Sequence, residues 1–221
     1  MKMKRTARRV LLLGLVFFTA FLIFIWLVKI VDIKPYGANG TNIGFATINS
    51  IVHKLFGVHM LLYELTDWAG LVPLAVVVSW GCVGLVQLIK RKSITKVDMD
   101  ILVLGVYYIV VAVLYVVFEM IPINYRPIMI NGVAEASYPS STTLLVLAVM
   151  PTLSERVGCR CKISTIKTAT RVFCMVFSLL MVAGRLISGV HWFTDILGAV
   201  LLSVGLFHIY KGLILLLDRE K

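Results

Sequence analysis

The sequence contains six apolar segments that approach or exceed the length needed to cross a lipid bilayer. A helix needs about 20 mainly apolar residues to cross roughly 30 Å of hydrocarbon. With 60% hydrophobic and 15% charged residues among 221, the chain is too apolar for an ordinary soluble or disordered protein. We therefore predict an all-α, polytopic membrane protein, with a single membrane-embedded domain over residues 1–221. The six predicted transmembrane helices cover residues 10–31, 68–89, 101–121, 139–155, 172–187 and 193–217.

Basic residues mark one side of this predicted arrangement. The net charge is +11, and 17 of the 22 lysines and arginines fall in the N-terminal arm, residues 90–96, residues 156–171 and the C-terminal tail. Cytoplasmic loops are enriched in Lys and Arg, so the pattern predicts that both termini are cytoplasmic. It also argues against a nucleic-acid partner, because no basic stripe continues beyond the membrane flanks. The other five basic residues are Lys29, Lys34, Lys54, Arg126 and Arg185.

The longest external connection in this topology runs from about residue 33 to residue 67. Apolar residues recur between residues 43 and 62, with His53, Lys54 and His59 among them. One interpretation is an amphipathic helix that lies in the membrane interface and forms a wall or lid of a lipid site. The other is a simple packed connector between two spans.

Ionisable and hydroxyl side chains cluster at the external ends of the predicted spans, where polar groups are costly and therefore candidates for function. His191 and Asp195 are four residues apart, so they share a face if this stretch is helical. An aspartate can hold the tautomer of a histidine, and such a histidine can act as a nucleophile on phosphorus. The other members of the cluster are Glu119, Arg126, Ser140, Ser141, Thr142 and Arg185.

These residue types suit a phosphate ligand. Arg126 and Arg185 offer forked donors for phosphate oxygens, and the N–H groups that follow Pro139 at a helix start can also bind an anion. No carboxylate cluster suggests a divalent metal, and Cys159 and Cys161 supply too few ligands for a metal site. We assign the two cysteines no role. The sequence thus predicts a site without metal or cofactor, in which arginines and backbone donors meet the phosphate charge.

Three motifs in this cluster resemble those of the type 2 phosphatidic acid phosphatase family, which is related to the vanadium haloperoxidases. The family motifs read K-x6-R-P, P-S-G-H and S-R-x5-H-x3-D. The chain reads Glu119-Met-Ile-Pro-Ile-Asn-Tyr-Arg126-Pro127, then Pro139-Ser140-Ser141-Thr142, then Gly184-Arg185 with His191 and Asp195 at the third motif's spacing. The motif core covers about residues 101–198, and the six-span layout also resembles that of the family.

The resemblance implies a role for each matching residue. His191 would be the nucleophile that forms a phosphohistidine, and Asp195 would orient it. The substrate phosphate would be bound by Arg126, Arg185, Ser140 and the backbone at Ser141.

Two positions depart from the family motifs. Glu119 replaces a phosphate-binding lysine, and Thr142 replaces the histidine that protonates the leaving group. Because a phosphate leaves without much protonation, the loss of the acid predicts a preference for a lipid diphosphate, such as a polyprenyl diphosphate, over a monoester. A second hypothesis is that a protonated Glu135 or Glu119 replaces the missing acid.

Two functions stay open at this stage. The first is metal-independent hydrolysis of a lipid phosphate or diphosphate at the external face of the cell membrane, with the lipid entering sideways from the bilayer. The alternative is a catalytically impaired family member that binds or transports a lipid phosphate. Glu119 and Thr142 favour the alternative, whereas the intact pair of His191 and Asp195 favours the enzyme, since binding alone needs no oriented nucleophile.

Overall fold

The computed structural model describes residues 2–217, with side chains from residue 5 onward. The side chains of Lys2 and Lys4, and residues Arg219 and Lys221, which count in the charge argument, lie outside this described part. Over the described residues the chain is all-α, as predicted, and its only β-type pairings are isolated bridges. Its helices are α1 (Lys2–Ile30), α2 (Ala46–Phe56), α3 (Met60–Ala69), α4 (Leu71–Arg91), α5 (Met99–Met120), α6 (Ser141–Arg160), α7 (Ser164–Ile187) and α8 (Phe193–Leu217).

Five helical segments are long and apolar enough to cross a membrane. They are Arg5–Ile30, Met60–Arg91, Met99–Met120, Ser164–Ile187 and Phe193–Leu217. These segments support the prediction of a multi-pass membrane protein, and the last one has the bounds predicted from hydropathy. The second includes both α3 and α4, because Gly70 between them keeps a helical backbone.

The helix α6 corresponds to the fourth predicted span and is long enough, at 20 residues, but it is not apolar enough to qualify as a membrane span. Its second half carries Glu155, Arg156 and Arg160, which interrupt the apolar stretch. Its first half is covered by protein, because α6 packs against α4, α5, α7 and α8 and its residues Val146 and Val149 are fully buried. The six-span count therefore stays a prediction.

The most extensive helix–helix interface joins α1 to α8. Two glycines let the backbones approach closely: a Cβ at Gly14 would lie 2.6 Å from the backbone nitrogen of Ile209, and a Cβ at Gly205 would lie 2.8 Å from that of Phe18. Such small-residue contacts are typical of membrane helix pairs. The helix α8 also contacts α2, α5, α6 and α7, so its N-terminal end is held inside the bundle.

The connection between α1 and α4 contains two helices, where the sequence suggested a single one between residues 43 and 62. They are separated by a break at Gly57, which has a φ of +71°. The break rests on the α7–α8 connection: a Cβ at Gly189, whose φ is +70°, would lie only 1.9 Å from the Gly57 carbonyl oxygen. The His59 N–H also donates to the Ser188 carbonyl at 2.9 Å. These contacts place α3 against α7.

An ion-pair network lies at the end of the bundle where α4 and α6 end and α5 begins. Arg156 lies 2.8 Å from Asp100, and Arg160 lies 2.7 Å from Asp100 and 3.0 Å from Asp98. Arg91 lies 2.7 Å from Asp98. The network joins the end of α4, the start of α5 and the end of α6, so these arginines connect helices in addition to the role in membrane orientation that the charge pattern predicts.

Candidate active site

Two connecting segments meet at one end of the bundle, and the predicted site residues lie in these segments and in the helix ends that flank them. In the α5–α6 segment, the Arg126 N–H donates to the Glu135 carbonyl at 3.0 Å, which folds the segment back on itself. In the α7–α8 segment, the Trp192 indole N–H donates to the Tyr125 carbonyl at 2.7 Å. This bond ties the two segments together and sets His191 beside the loop that holds Arg126.

Asn49, on α2, fixes the start of α8. Its side-chain oxygen accepts the Thr194 N–H at 3.2 Å, and its side-chain nitrogen donates to the Thr194 hydroxyl and the Gly44 carbonyl, each at 2.9 Å. The first N–H groups of a helix lack intrahelical partners, and Asn49 satisfies one of them from outside α8. The residue is fully buried, so this cap positions the turn that carries Asp195.

His191 is 3% exposed and has a defined tautomer. Its Nε2 lies 3.4 Å from Nη2 of Arg185, and its Nδ1 lies 3.2 Å from the carbonyl oxygen of Ser137. Since a guanidinium can only donate, Nε2 accepts, and the ring proton lies on Nδ1 and points to Ser137. Nε2 therefore keeps the lone pair that a nucleophile needs.

Burial and two positive charges keep the His191 ring neutral. Burial has the largest effect and holds the pKa of His191 well below its ordinary value of 6.5, and the charges of Arg185 and Arg126 lower it further. The Ser137 carbonyl acts in the opposite direction. At neutral pH the imidazole is therefore unprotonated and available for attack on phosphorus.

Asp195 lies one helical turn after His191 and is fully buried. Its Oδ2 accepts the Trp192 N–H at 2.8 Å and lies 3.6 Å from Nδ1 of His191. The second distance is too long for a hydrogen bond, but it is short enough for the carboxylate to attract a positive charge on the ring. The geometry suits a carboxylate that stabilises positive charge as it develops on the imidazole, while Ser137 rather than Asp195 fixes the tautomer.

The two site arginines share contacts with α3. The guanidinium carbon of Arg185 lies 4.8 Å from the centre of the Tyr63 ring, and that of Arg126 lies 5.7 Å from the same ring. Arg185 Nη1 makes long hydrogen bonds of 3.4 to 3.5 Å to the Tyr63 carbonyl, the Thr66 hydroxyl and an Asp67 carboxylate oxygen. An aromatic face attracts cations, so Tyr63 allows the two like charges to lie side by side.

The two serines at the start of α6 have different surroundings. Ser140 is fully buried, its N–H donates to the Asp195 carbonyl at 3.1 Å, and it lines neither of the cavities at the site. Ser141 lines both cavities, and Thr142 lines the larger one. The structure therefore offers the Ser141 hydroxyl and the helix start to a ligand, whereas Ser140 connects α6 to α8.

Two neighbouring cavities define the site. The larger is a polar cleft of about 410 Å³, which both arginines line together with Asp67, Glu119 and Glu135. The smaller has a volume of about 10 Å³, close to that of one water molecule, and is lined by His191, Glu119 and Ser141 among others. The arginines thus face the cleft, and the nucleophile faces the small cavity beside it.

The three carboxylates of the cleft differ in their partners. Asp67 lies 3.5 Å from Arg185, and Glu135 lies 3.1 Å from Nε of Arg126. Glu119, in the last turn of α5, has no ion-pair partner among the described residues. Since Glu119 carries a negative charge at a position where the family motif has lysine, the cleft contains two cations and three carboxylates.

The structure brings the predicted site residues together at one end of the bundle, although Ser140 and Asp195 line neither cavity. Sequence reasoning missed Asn49, Tyr63 and Thr66, which belong to the segment before the motifs. Their contacts to Thr194 and Arg185 span more than a hundred residues, so no local motif indicates them. It also missed Ser137, whose carbonyl replaces Asp195 as the acceptor for the His191 proton.

No group of three or more His, Cys, Asp or Glu side chains between residues 5 and 217 could hold a metal ion. The four cysteines are free thiols. Cys159 lines a separate cavity of about 520 Å³ near the opposite end of α6, with Arg171 and Lys211. It is not part of the site described above.

Residues of this site lie within the part of the chain that matches a sequence model of a protein family. The model of the PAP2 superfamily matches residues 101–215, which include α5 to α8 and all three motifs. The chain belongs to the PAP2 superfamily. The family match does not include α2 and α3. Asn49 and Tyr63, which contact the site, therefore lie outside the matched residues. No curated protein sequence matches this PAP2 chain in a sequence comparison.

This PAP2 protein is also similar to a solved structure. The crystal structure of a transmembrane PAP2-type phosphatidylglycerolphosphate phosphatase from Bacillus subtilis matches it with a TM-score of 0.60 at 20% sequence identity. The match covers 95% of this chain and 99% of the other. The similarity therefore extends over the whole fold, including α1 to α4 outside the family match.

Proposed function

We propose that this PAP2 protein hydrolyses a lipid phosphate or diphosphate through a phosphohistidine at His191, and that it prefers a polyprenyl diphosphate. Membership of the family and the membrane-protein fold support phosphatase activity in general. The observation that carries the specific proposal is the unprotonated Nε2 of His191, which accepts from Arg185 while Nδ1 donates to the Ser137 carbonyl.

In the first half of the proposed reaction, the terminal phosphoryl group of the substrate binds in the cleft against Arg126 and Arg185. The Nε2 lone pair of His191 attacks phosphorus, and the bond from phosphorus to the leaving oxygen breaks with its electrons. Positive charge develops on the imidazole, where Asp195 stabilises it. In the second half, water attacks the phosphohistidine and releases inorganic phosphate, and Nε2 recovers its lone pair.

The preference for a diphosphate follows from the residues that line the cleft. Thr142 lines it where the family motif has an acidic histidine, and threonine does not donate a proton at neutral pH. General acid help is worth typically 10²–10⁴-fold, so a monoester with an alkoxide leaving group would react slowly. A lipid phosphate leaves as a stable anion and needs no acid.

The proposed location of the site is the extracytoplasmic face of the cell membrane. The charge pattern predicts cytoplasmic termini, and the cleft lies at the end of the bundle opposite to the basic connections at Arg91 and Arg160. The lipid would enter from the side, because its tail stays in hydrocarbon. One membrane domain of residues 1–221 accounts for this arrangement.

Phosphate release by the purified protein tests the proposal. Wild type and His191→Ala are compared on phosphatidate, phosphatidylglycerolphosphate and a polyprenyl diphosphate, with and without a chelator. We expect the diphosphate to react fastest, the chelator to have no effect, and His191→Ala to lose at least ~100-fold in rate. Equal rates on phosphatidate and the diphosphate would refute the preference. A wild-type rate no higher than that of His191→Ala would refute the enzyme.

The second candidate function is a lipid-phosphate binding or transport protein that has lost turnover. The acidic balance of the cleft favours it, because Glu119 weakens the attraction for a phosphate dianion. This candidate predicts that the wild-type protein binds a polyprenyl diphosphate with an affinity that His191→Ala does not change, and releases no phosphate. The phosphohistidine at position 191, detected by its acid lability, separates the two functions.

A further inference from the structure

A base for the second half of the reaction is missing from the residues assigned so far. Hydrolysis of a phosphohistidine needs a water molecule that loses a proton as it attacks phosphorus. The family resemblance implies an acidic histidine at position 142, but the residue is threonine, and His191 is itself occupied by the phosphoryl group. A general base must therefore come from another side chain of the site.

Among the described residues, Glu119 is the only carboxylate that lines both cavities. Asp67 and Glu135 line the cleft but not the small cavity. Asp67 lies 3.5 Å from Arg185, and Glu135 lies 3.1 Å from Arg126. Glu119 lines the cleft and also the small cavity that His191 lines. It makes no hydrogen bond or ion pair to another side chain in the described part of the chain, so both of its oxygens are free to accept.

The size of the small cavity fixes where the phosphoryl group lies. A volume of about 10 Å³ admits roughly one water molecule, so a phosphoryl group on Nε2 is too large for the small cavity and extends toward the cleft, which is lined by Arg185, the hydrogen-bond partner of Nε2. A nucleophile attacks phosphorus roughly in line with the bond that breaks, so the water must approach from the cleft, opposite to Nε2. Glu119, in the last turn of α5, lines both this cleft and the small cavity.

We infer that Glu119 is the general base that activates the hydrolytic water in the second half of the reaction. The water oxygen bonds to phosphorus, the water proton passes to a Glu119 oxygen, and the P–N bond breaks with its electrons returning to Nε2. The proton leaves Glu119 for solvent when inorganic phosphate departs. The inference rests on the proposed function, and it differs from the hypothesis of Glu119 as an acid, which would act in the first half.

Rapid-quench measurement of the phosphoenzyme separates these roles. A polyprenyl diphosphate labelled on its terminal phosphate is mixed with wild type, Glu119→Gln and Glu119→Asp. We expect Glu119→Gln to form phosphohistidine at nearly the wild-type rate, to accumulate close to one per protein, and to lose about 10²- to 10⁴-fold in steady-state turnover. Glu119→Asp keeps a carboxylate and should recover part of the turnover.

The controls make each outcome decisive. Glu64→Gln removes an exposed carboxylate of α3 that lines neither cavity, and we expect it to behave as wild type. Accumulation of the phosphoenzyme also shows that the Glu119→Gln protein is folded. Wild-type turnover in Glu119→Gln, or a slow first half without accumulation, overturns the inference and leaves the proposed function intact. Absence of a phosphoenzyme from wild type overturns both.

Discussion

The guanidinium carbon of Arg185 lies 4.8 Å from the centre of the Tyr63 ring, so a residue of α3 supports the arginine that bonds the proposed nucleophile. The same ring lies 5.7 Å from Arg126. Two guanidinium groups that face one cleft repel each other, and a shared aromatic face offsets part of that repulsion. Tyr63 thus contacts both of the arginines that line the cleft.

Replacement of Tyr63 by leucine should weaken phosphate binding. A cation–π contact at a desolvated site is worth about 1–2 kcal/mol, so Tyr63→Leu should raise the KM for a lipid phosphate about 5- to 30-fold. Tyr63→Phe keeps the ring and should stay close to wild type. Steady-state kinetics on detergent-solubilised protein gives both constants. An equal loss in Tyr63→Phe would mean that the hydroxyl, and not the ring, carries the effect.

Replacement of Asn49 by alanine should destabilise the protein through α8. The substitution removes the cap on the Thr194 N–H and leaves the buried Gly44 carbonyl without its donor, at a cost of about 1–2 kcal/mol. Thermal unfolding in detergent measures the change. Asn42→Ala, on the same connection but exposed, is the matched control and should have little effect. The prediction fails if the two variants unfold at the same temperature.

A side chain at Gly189 should separate α2 and α3 from the site. Gly189 and Gly132 both have positive φ values, +70° and +77°, but only the added Cβ at Gly189 would meet the Gly57 carbonyl. Gly132→Ala should therefore cost only the ~1–2 kcal/mol of a left-handed backbone, whereas Gly189→Ala should cost more and also lower activity. Thermal unfolding and phosphate release are measured in parallel. Equal losses in both variants would show that the contact with Gly57 is unimportant.

The stability of the protein should fall in mild acid because of His191. Its pKa lies well below 6.5 in the folded state but close to 6.5 when the chain is unfolded. Below pH 6.5 the imidazole therefore binds a proton in the unfolded state but not in the folded state. The free energy of unfolding decreases as the pH falls. Above pH 6.5 both states are neutral and this effect vanishes.

A variant without the imidazole isolates this contribution. His191→Gln cannot titrate, so its unfolding temperature should fall less than that of wild type between pH 7 and pH 5. The difference between the two proteins as a function of pH is the quantity of interest. A difference that does not change across this range would mean that His191 has an ordinary pKa in the folded protein, and a change in the opposite direction would mean that its pKa is raised there.

Much of the fold follows from hydropathy, as α5 and α8 illustrate. A helix that crosses the membrane must satisfy its backbone internally and present apolar side chains to lipid, so its bounds appear in the sequence as a continuous apolar run. The helix α6 has no such continuous apolar run. Other helices cover its first half, and in its second half Arg156 and Arg160 bind Asp100 of α5. Hydropathy along the chain cannot distinguish such a helix from a shorter buried one.

The spacing of His191 and Asp195 in the third motif was enough to predict, from the sequence alone, that they lie one helical turn apart. Spacing at the start of a helix is a local property. Only the tertiary structure decided which groups hold the imidazole, namely Ser137 and Arg185, and that Tyr63 and Asn49 support the site from outside the motifs. These contacts join residues from distant parts of the chain, and their geometry depends on how the helices pack. The sequence fixes which chemistry is available, and packing decides which atom faces which.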